Sequence, residues 1–206
     1  MTARAVICDL GGVVIHIDPT RITHHWARRS RRLEVDLQTA FPDEAYFAFE
    51  RDELSEAEYL DHVRRHLELD GTDDELADDF SQLFLGADPG TVQVLWELRN
   101  HGWTVVALSN TNRIHERVWS HRYAAELQVF HAIHCSHDLR ARKPQPEAFT
   151  AVLDQHGLDP AETVFIDDLA VNVEAARGLG LHGATFASAE QLRQQLRDIA
   201  GSSFPW

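Results

Sequence analysis

Val6-Ile7-Cys8-Asp9-Leu10-Gly11-Gly12-Val13 is the stretch on which the reading of this chain turns. A short apolar run ends in a carboxylate and then in two glycines. The run reads as a buried strand, and a charge at its carboxyl end is costly unless something pairs with it. The glycines let the backbone turn tightly and bring N–H groups close to a ligand. Four more β-branched runs follow at residues 103–108, 132–135, 163–166 and 183–186, separated by helix-length stretches. That alternation predicts an α/β fold, a parallel sheet covered by helices. Helices are expected at about 145–155, 170–179 and 189–199, with Gly157 and Gly180 closing the first two.

In such sheets ligands bind beyond the carboxyl ends of the strands, near the point where strand order reverses. The fourth run ends in Val164-Phe165-Ile166-Asp167-Asp168. Adjacent carboxylates repel one another unless a cation sits between them. With the first and fourth strands side by side, Asp9, Asp167 and Asp168 would form an all-oxygen cluster suited to Mg²⁺. The second run ends in Leu108-Ser109-Asn110-Thr111, where a hydroxyl and backbone amides can hold an oxyanion. Lys143, in Arg142-Lys143-Pro144, is the one lysine among 19 basic residues. In a chain that otherwise uses arginine, it points to a place that wants a compact ammonium rather than a planar fork.

Between the first two strands the sequence predicts helices and no strand. Asp18-Pro19 starts one helix, Ser55 with Glu58 and Thr72 with Glu75 are capping-box pairs, and Asp88-Pro89 opens the helix that leads back to the sheet. Residues 16–88 are therefore expected to be a helical cap, with 1–15 and 89–206 forming the core domain. Charge supports two differently built parts: residues 16–90 hold 19 acids against 8 arginines, and the remainder 14 acids against 11 basic residues.

The 206 residues, 44% hydrophobic and 25% charged, are ordinary for a globular chain and exclude wholesale disorder. A net charge of −14 argues against a nucleic-acid surface. No apolar stretch approaches the ~18 residues of a membrane helix, and Asp9 interrupts the one N-terminal apolar run, against a signal peptide. With only Cys8 and Cys135 there is no disulfide framework, so a cytoplasmic location is expected.

The four segments, in this order, resemble the haloacid dehalogenase superfamily of phosphoryl-transfer hydrolases. The resemblance rests on Asp9, Ser109, Lys143-Pro144 and Asp167-Asp168 with Asn172 following, and it covers nearly the whole chain. The wording Leu108-Ser109-Asn110-Thr111-Asn112-Arg113, with Glu50-Arg51 before Ser55, is similar to the YihX-type sugar-phosphate phosphatases. The resemblance implies a Rossmann-like sheet in the order 3-2-1-4-5 with an α-helical cap inserted after the first strand. It implies Asp9 as a nucleophile that forms an aspartyl-phosphate. Mg²⁺ would be held by Asp9, the Gly11 carbonyl and Asp168, with Asp167 directly or one step behind. Ser109, the Asn110 amide and Lys143 would hold the phosphoryl oxygens, beside Gly11 and Gly12.

Family phosphatases commonly carry a second Asp two residues after the nucleophile as general acid and base; here that position is Gly11. The expected substrate is accordingly a sugar 1-phosphate or a similarly activated phosphate, with His16 or a cap residue as a substitute acid. Cap candidates for substrate contact are Trp26, Tyr46, Phe47, Glu50 and Arg51. The expected partner is a small phosphorylated substrate, with neither nucleic acid nor membrane, the chain acting as a monomer or homodimer. The alternatives are a 2-haloacid dehalogenase, disfavoured because the acidic pair would repel a carboxylate substrate, and a non-catalytic ligand-binding module. Among the 13 histidines, His131, His134, Cys135 and His137 invite a zinc reading. Strand alternation puts His134 on the opposite face, so no closed tetrahedral set is expected.

Overall fold

Strand β1 (Ala5–Cys8) is buried along its whole length, the mark of a strand covered on both faces. The structure is a computed structural model and describes residues 3–201. Residues 1–2 and 202–206, the outer ends of the range assigned to the core, lie outside the described residues. β1 pairs in parallel with β4 (Thr104–Ser109) on one side and β6 (Thr163–Asp167) on the other. β5 (Ala132–Cys135) extends the sheet beyond β4, and β7 (His182–Thr185) extends it beyond β6.

The sheet order is β5-β4-β1-β6-β7, which for its five strands taken in chain order is the expected 3-2-1-4-5. The numbering differs because two further strands, β2 (Ile15–Ile17) and β3 (Phe84–Ala87), form a separate antiparallel pair. The expectation of an insertion without strands is corrected here. Three and four residues are too few for a period of two to stand out in a sequence.

Between β2 and β3 lie five helices: α1 (Thr20–Ala27), α2 (Glu34–Ala40), α3 (Glu44–Phe49), α4 (Glu56–His66) and α5 (Asp73–Phe80). Both capping boxes form, at Ser55 with Glu58 and at Thr72 with Glu75. These helices bury a second cluster, which Ile114 joins and in which Trp26 stacks on Phe80 at 5.5 Å and Phe49 on Tyr59 at 4.5 Å. Stacked and edge-on pairs at such spacings add about 0.5–1.5 kcal/mol each beyond the area they bury.

The remaining helices are α6 (Pro89–Asn100), α7 (Arg113–Arg122), α8 (Ser136–Leu139), α9 (Pro146–His156), α10 (Ala170–Gly178) and α11 (Ala189–Ala200). Alternation along the strands divides them between the two faces. Val6, Cys8, Val105 and Ala107 pack with α6 and α11, while Ile7, Val106, Leu108 and Phe165 pack with α9 and α10. Every loop after a sheet strand therefore emerges on one edge, where β1, β4 and β6 end side by side. Among the described residues no helix is long and apolar enough to cross a membrane.

Candidate active site

The parallel ladder continues one residue past β1. Asp9 N donates to the Ile166 carbonyl at 2.8 Å, which sets Asp9 beside Asp167 at the carboxyl edge of the sheet. Lys143 lies between them, its Nζ 2.8 Å from Asp9 Oδ1 and 2.8 Å from Asp167 Oδ2. The lysine's backbone is held by the residue after Ser109. Asn110 Oδ1 accepts from Lys143 N at 2.8 Å, and Asn110 Nδ2 donates to the Lys143 carbonyl at 2.9 Å.

Asp167 is engaged on both oxygens. Oδ1 accepts from Leu169 N at 2.8 Å and from Asn172 Nδ2 at 3.0 Å, and Oδ2 takes Lys143. Asp9 Oδ1 also accepts from Leu10 N at 2.7 Å. Burial pushes the Asp9 carboxyl up to about 7, against the downward pull of Lys143 and with the added push of Asp167. Burial works against the charge on Lys143 as well, but Asp9 and Asp167 outweigh it and hold the ammonium above its ordinary value. Asp168 is raised too, by partial burial and then by the neighbouring Asp167.

Asp9, Asp167 and Asp168 each offer a carboxylate oxygen within 4.8 Å of the others. Gly12 makes room for this approach. Its φ is +78°, and a β-carbon there would lie 2.3 Å from Asp168 Oδ2, so only glycine fits. A hard, all-oxygen donor set carrying three carboxylates against one ammonium fits Mg²⁺. The Gly11 carbonyl lies in the same turn. Ser109, at the end of β4, is nearly buried and lines the cleft that opens next to Gly11.

That cleft has walls of a different character. Ile15 and Ile17 of β2, Phe84 of β3, Tyr46 of α3, and His115 and Trp119 of α7 line it. His115 is kept neutral, because burial draws its pKa down to about 4. Its Nε2 donates to the Phe80 carbonyl at 3.1 Å and its Nδ1 accepts from Asn112 Nδ2 at 3.1 Å.

Of the five cap residues expected to touch substrate, Tyr46 alone lines the cleft. Trp26 is fully buried among the helices, its indole N–H donating to the Leu76 carbonyl at 3.3 Å. Its regular apolar spacing marked a core position rather than a pocket one. Arg51 turns to Glu53 at 2.8 Å and Glu44 at 2.9 Å, which satisfy its guanidinium. Phe47 does not line the cleft but lies under the guanidinium of Arg142, 4.4 Å from the ring centre. Arg142 Nε donates to the buried Glu50 carboxylate at 2.8 Å, so α3 docks directly on the residue before Lys143. Burial raises the Glu50 pKa, with Arg142 pulling it back. His16 is corrected as a substitute acid: it alternates outward from Ile15 and Ile17 and pairs with Asp88 at 3.2 Å.

Sequence reasoning did not reach Ile17, Phe84, His115 or Trp119. The Ile15–Ile17 alternation and the four-residue spacing of His115 and Trp119, on a helix starting just beyond Ser109, are the signals that point to them.

The strand-end carboxylates bridged by a lysine thus lie at the switch point of a parallel sheet, where folds of this class place their ligands. The haloacid dehalogenase-like hydrolase family matches residues 3–180, and the chain belongs to it. It is 28% identical over 204 residues to the sesquiterpene phosphatase astK of Aspergillus oryzae, covering 97% of this chain and 98% of that one. It is 25% identical to the D-ribitol-5-phosphate phosphatase of Bacteroides thetaiotaomicron, over 97% and 99% of the two chains. Among solved structures it resembles the HAD family enzyme bt-2542 of Bacteroides thetaiotaomicron, in a variant complexed with magnesium and inorganic phosphate. That likeness has a TM-score of 0.81 at 26% identity, over 90% of this chain and 94% of the other.

Proposed function

We propose that the protein is a Mg²⁺-dependent phosphatase that hydrolyses a small phosphorylated metabolite through an aspartyl-phosphate on Asp9. The observation that carries this reading is Lys143 Nζ at 2.8 Å from both Asp9 and Asp167, with Asp168 beside them. The magnesium and inorganic phosphate in the bt-2542 complex agree with it. Residues 16–88 act as the cap that closes the cleft.

Asp9, Asp168 and the Gly11 carbonyl would hold Mg²⁺, with Asp167 acting from behind through Lys143. The ion would lower the charge on the phosphoryl oxygens and favour the ionised form of Asp9. In the first step a bond forms from an Asp9 carboxylate oxygen to phosphorus as the bond to the leaving oxygen breaks. Lys143, Ser109 and the Asn110 amide steady the equatorial oxygens, since this chemistry is mostly positioning and charge stabilisation. Water then attacks phosphorus, the Asp9–phosphorus link breaks, and inorganic phosphate leaves with the carboxylate restored.

No acid stands at Gly11, and a β-carbon there would meet Ile17 Cδ1 at 3.1 Å. A leaving group that departs as an anion needs no proton, so activated phosphates suit this site. The sugar 1-phosphate expectation meets that condition but not the lining of the cleft. Ile15, Ile17, Phe84 and Trp119 favour an aryl or allylic phosphate over a polyhydroxylated one, and the sesquiterpene phosphatase is a relative of matching character. The test is phosphate release from aryl, allylic, alkyl and sugar 1-phosphates, with and without Mg²⁺. Mg²⁺-dependent turnover, fastest on the aryl or allylic ester and cut at least about 10⁴-fold in a folded Asp9→Asn variant, is expected. Halide release without metal, or ligand binding with no turnover of any phosphate, overturns it.

A further inference from the structure

A second group of metal-binding side chains gathers behind the Ser109–Thr111 loop, outside the site already described. Glu116 of α7, Cys135 at the end of β5, and His137 and Asp138 of α8 each present a ligand atom within 4.8 Å of the others. The grouping differs from the one the sequence invited. His131 turns to the Val105 backbone, and His134 pairs with His156 at 2.8 Å. The strand stops at Cys135, and the helical turn that follows carries His137 back beside it, so strand alternation does not apply. Glu116 arrives from a helix nineteen residues earlier in the chain.

The histidine is already oriented as a ligand. Its side chain is completely buried, and its Nδ1 lies 3.2 Å from the Thr111 carbonyl. A carbonyl only accepts, so Nδ1 carries a proton, and Nε2 faces Glu116 Oε2 at 3.0 Å and Asp138 Oδ1 at 3.6 Å. Metal-binding histidines almost always donate their other ring N–H to a carbonyl, carboxylate or water in this way. In a tetrahedral shell with bonds of about 2.0–2.3 Å, neighbouring ligand atoms are roughly 3.3–3.8 Å apart. The two observed separations lie close to that interval.

Cys135 is buried, and burial together with the Glu116 and Asp138 carboxylates raises its thiol pKa. A buried thiol and imidazole face two carboxylates, and Arg113, which acts on both carboxylates from outside the group, is itself hydrogen-bonded to Asp52. Glu116 is partly exposed and Asp138 exposed, which gives an ion a way in.

We propose that Glu116, Cys135, His137 and Asp138 bind a divalent ion of borderline softness, Zn²⁺ above all, at a site separate from the carboxylate cluster at Asp9. Sulfur and nitrogen ligands select Zn²⁺ over Mg²⁺. Four protein ligands close the shell, so the ion is structural rather than reactive. What it braces is the loop that lines the cleft. Ser136 Oγ accepts from Thr111 N at 2.9 Å and donates to Thr111 O at 2.9 Å, beside the His137 contact, and Trp119 Nε1 donates to Thr111 Oγ1 at 3.3 Å.

The test is a Co²⁺ titration of the full chain, stripped with chelator and kept reduced with a phosphine, in excess Mg²⁺ to fill oxygen-only sites. A thiolate-to-cobalt charge-transfer band saturating at one Co²⁺ per chain and bleached by Zn²⁺ is expected. Cys135→Ser abolishes the band, while Cys8→Ser, which removes the only other thiol, keeps it. Glu116→Gln, at the exposed edge of the group, weakens Co²⁺ binding at least about 10-fold and covers the case in which the buried substitution does not fold. No band in the wild type means that the four side chains only hydrogen-bond among themselves and to Thr111, and it overturns the proposal. A band that survives Cys135→Ser, or affinity unmoved in Glu116→Gln, overturns it equally.

Discussion

The carboxyl edge of the sheet and the helical wall above it solve opposite problems. At the edge, three aspartates and a lysine are held by hydrogen bonds and by their opposite charges. Asp9 continues a hydrogen-bonded ladder, and Asp167 is held on both oxygens. The wall is apolar and aromatic, and the ion pairs that tie it down lie around it: Glu56 to Arg117, Asp52 to Arg113 and Glu50 to Arg142. Chemistry common to a superfamily belongs on the rigid edge, where a shift of one ångström is ruinous. Choice of substrate belongs on the wall, where side chains can change without disturbing the charges below.

The comparison predicts that damage at the edge costs more than damage to the wall. Lys143→Met leaves Asp9 and Asp167 buried without their shared cation, and should destabilise the fold by about 3–5 kcal/mol, measured by urea unfolding. Added Mg²⁺ should restore part of this, since an ion that binds only the folded state stabilises it. On the wall, Ile17→Ala should raise KM for an aryl phosphate roughly 10-fold with kcat little changed, from about 1–2 kcal/mol of lost apolar contact. A fall in kcat instead would place Ile17 with the reacting atoms and blur the division.

Glu50 sharpens the comparison through its pH dependence. Its folded pKa is raised by burial above the ordinary 4.5. The folded state therefore holds a proton that the unfolded state has given up once pH passes 4.5, and stability contributed by that proton is lost as pH climbs through the folded value. Glu50→Gln, which cannot ionise, should match the wild type below pH about 4.5 and gain on it at higher pH, in urea melts across that range. The pair with Arg142 would then serve to place α3 rather than to stabilise the fold. The smallest effect is expected at the rim. Arg117→Ala breaks the pair with Glu56, but Arg117 is 60% exposed, and no more than about 1 kcal/mol should be lost.

The sheet was legible because its three central strands carry apolar runs that lead into a residue that does not belong in a core. Asp9, Ser109 and the Asp167 pair mark three strand ends, and Lys143 stands out by being alone. The cap helices were legible through their first turns, since Ser55–Glu58 and Thr72–Glu75 are local signals. The wall was not. Trp26 and Trp119 look alike in sequence, and only tertiary packing puts one in a core and the other on a cleft. Arg51 satisfies itself within its own loop, while Glu50 beside it reaches across to Arg142, a choice settled 92 residues away. Glu116 and Cys135 meet for the same reason, by packing of a helix on a strand end rather than by spacing.

One amide ties much of this together. The side chain of Asn110 grips both the N–H and the carbonyl of Lys143, while its own backbone follows directly on Ser109. The hydroxyl and the ammonium thus ride on a single splint, and neither can drift without dragging the other. Their alignment is thus written into one side chain rather than into the thirty-odd residues of path between them.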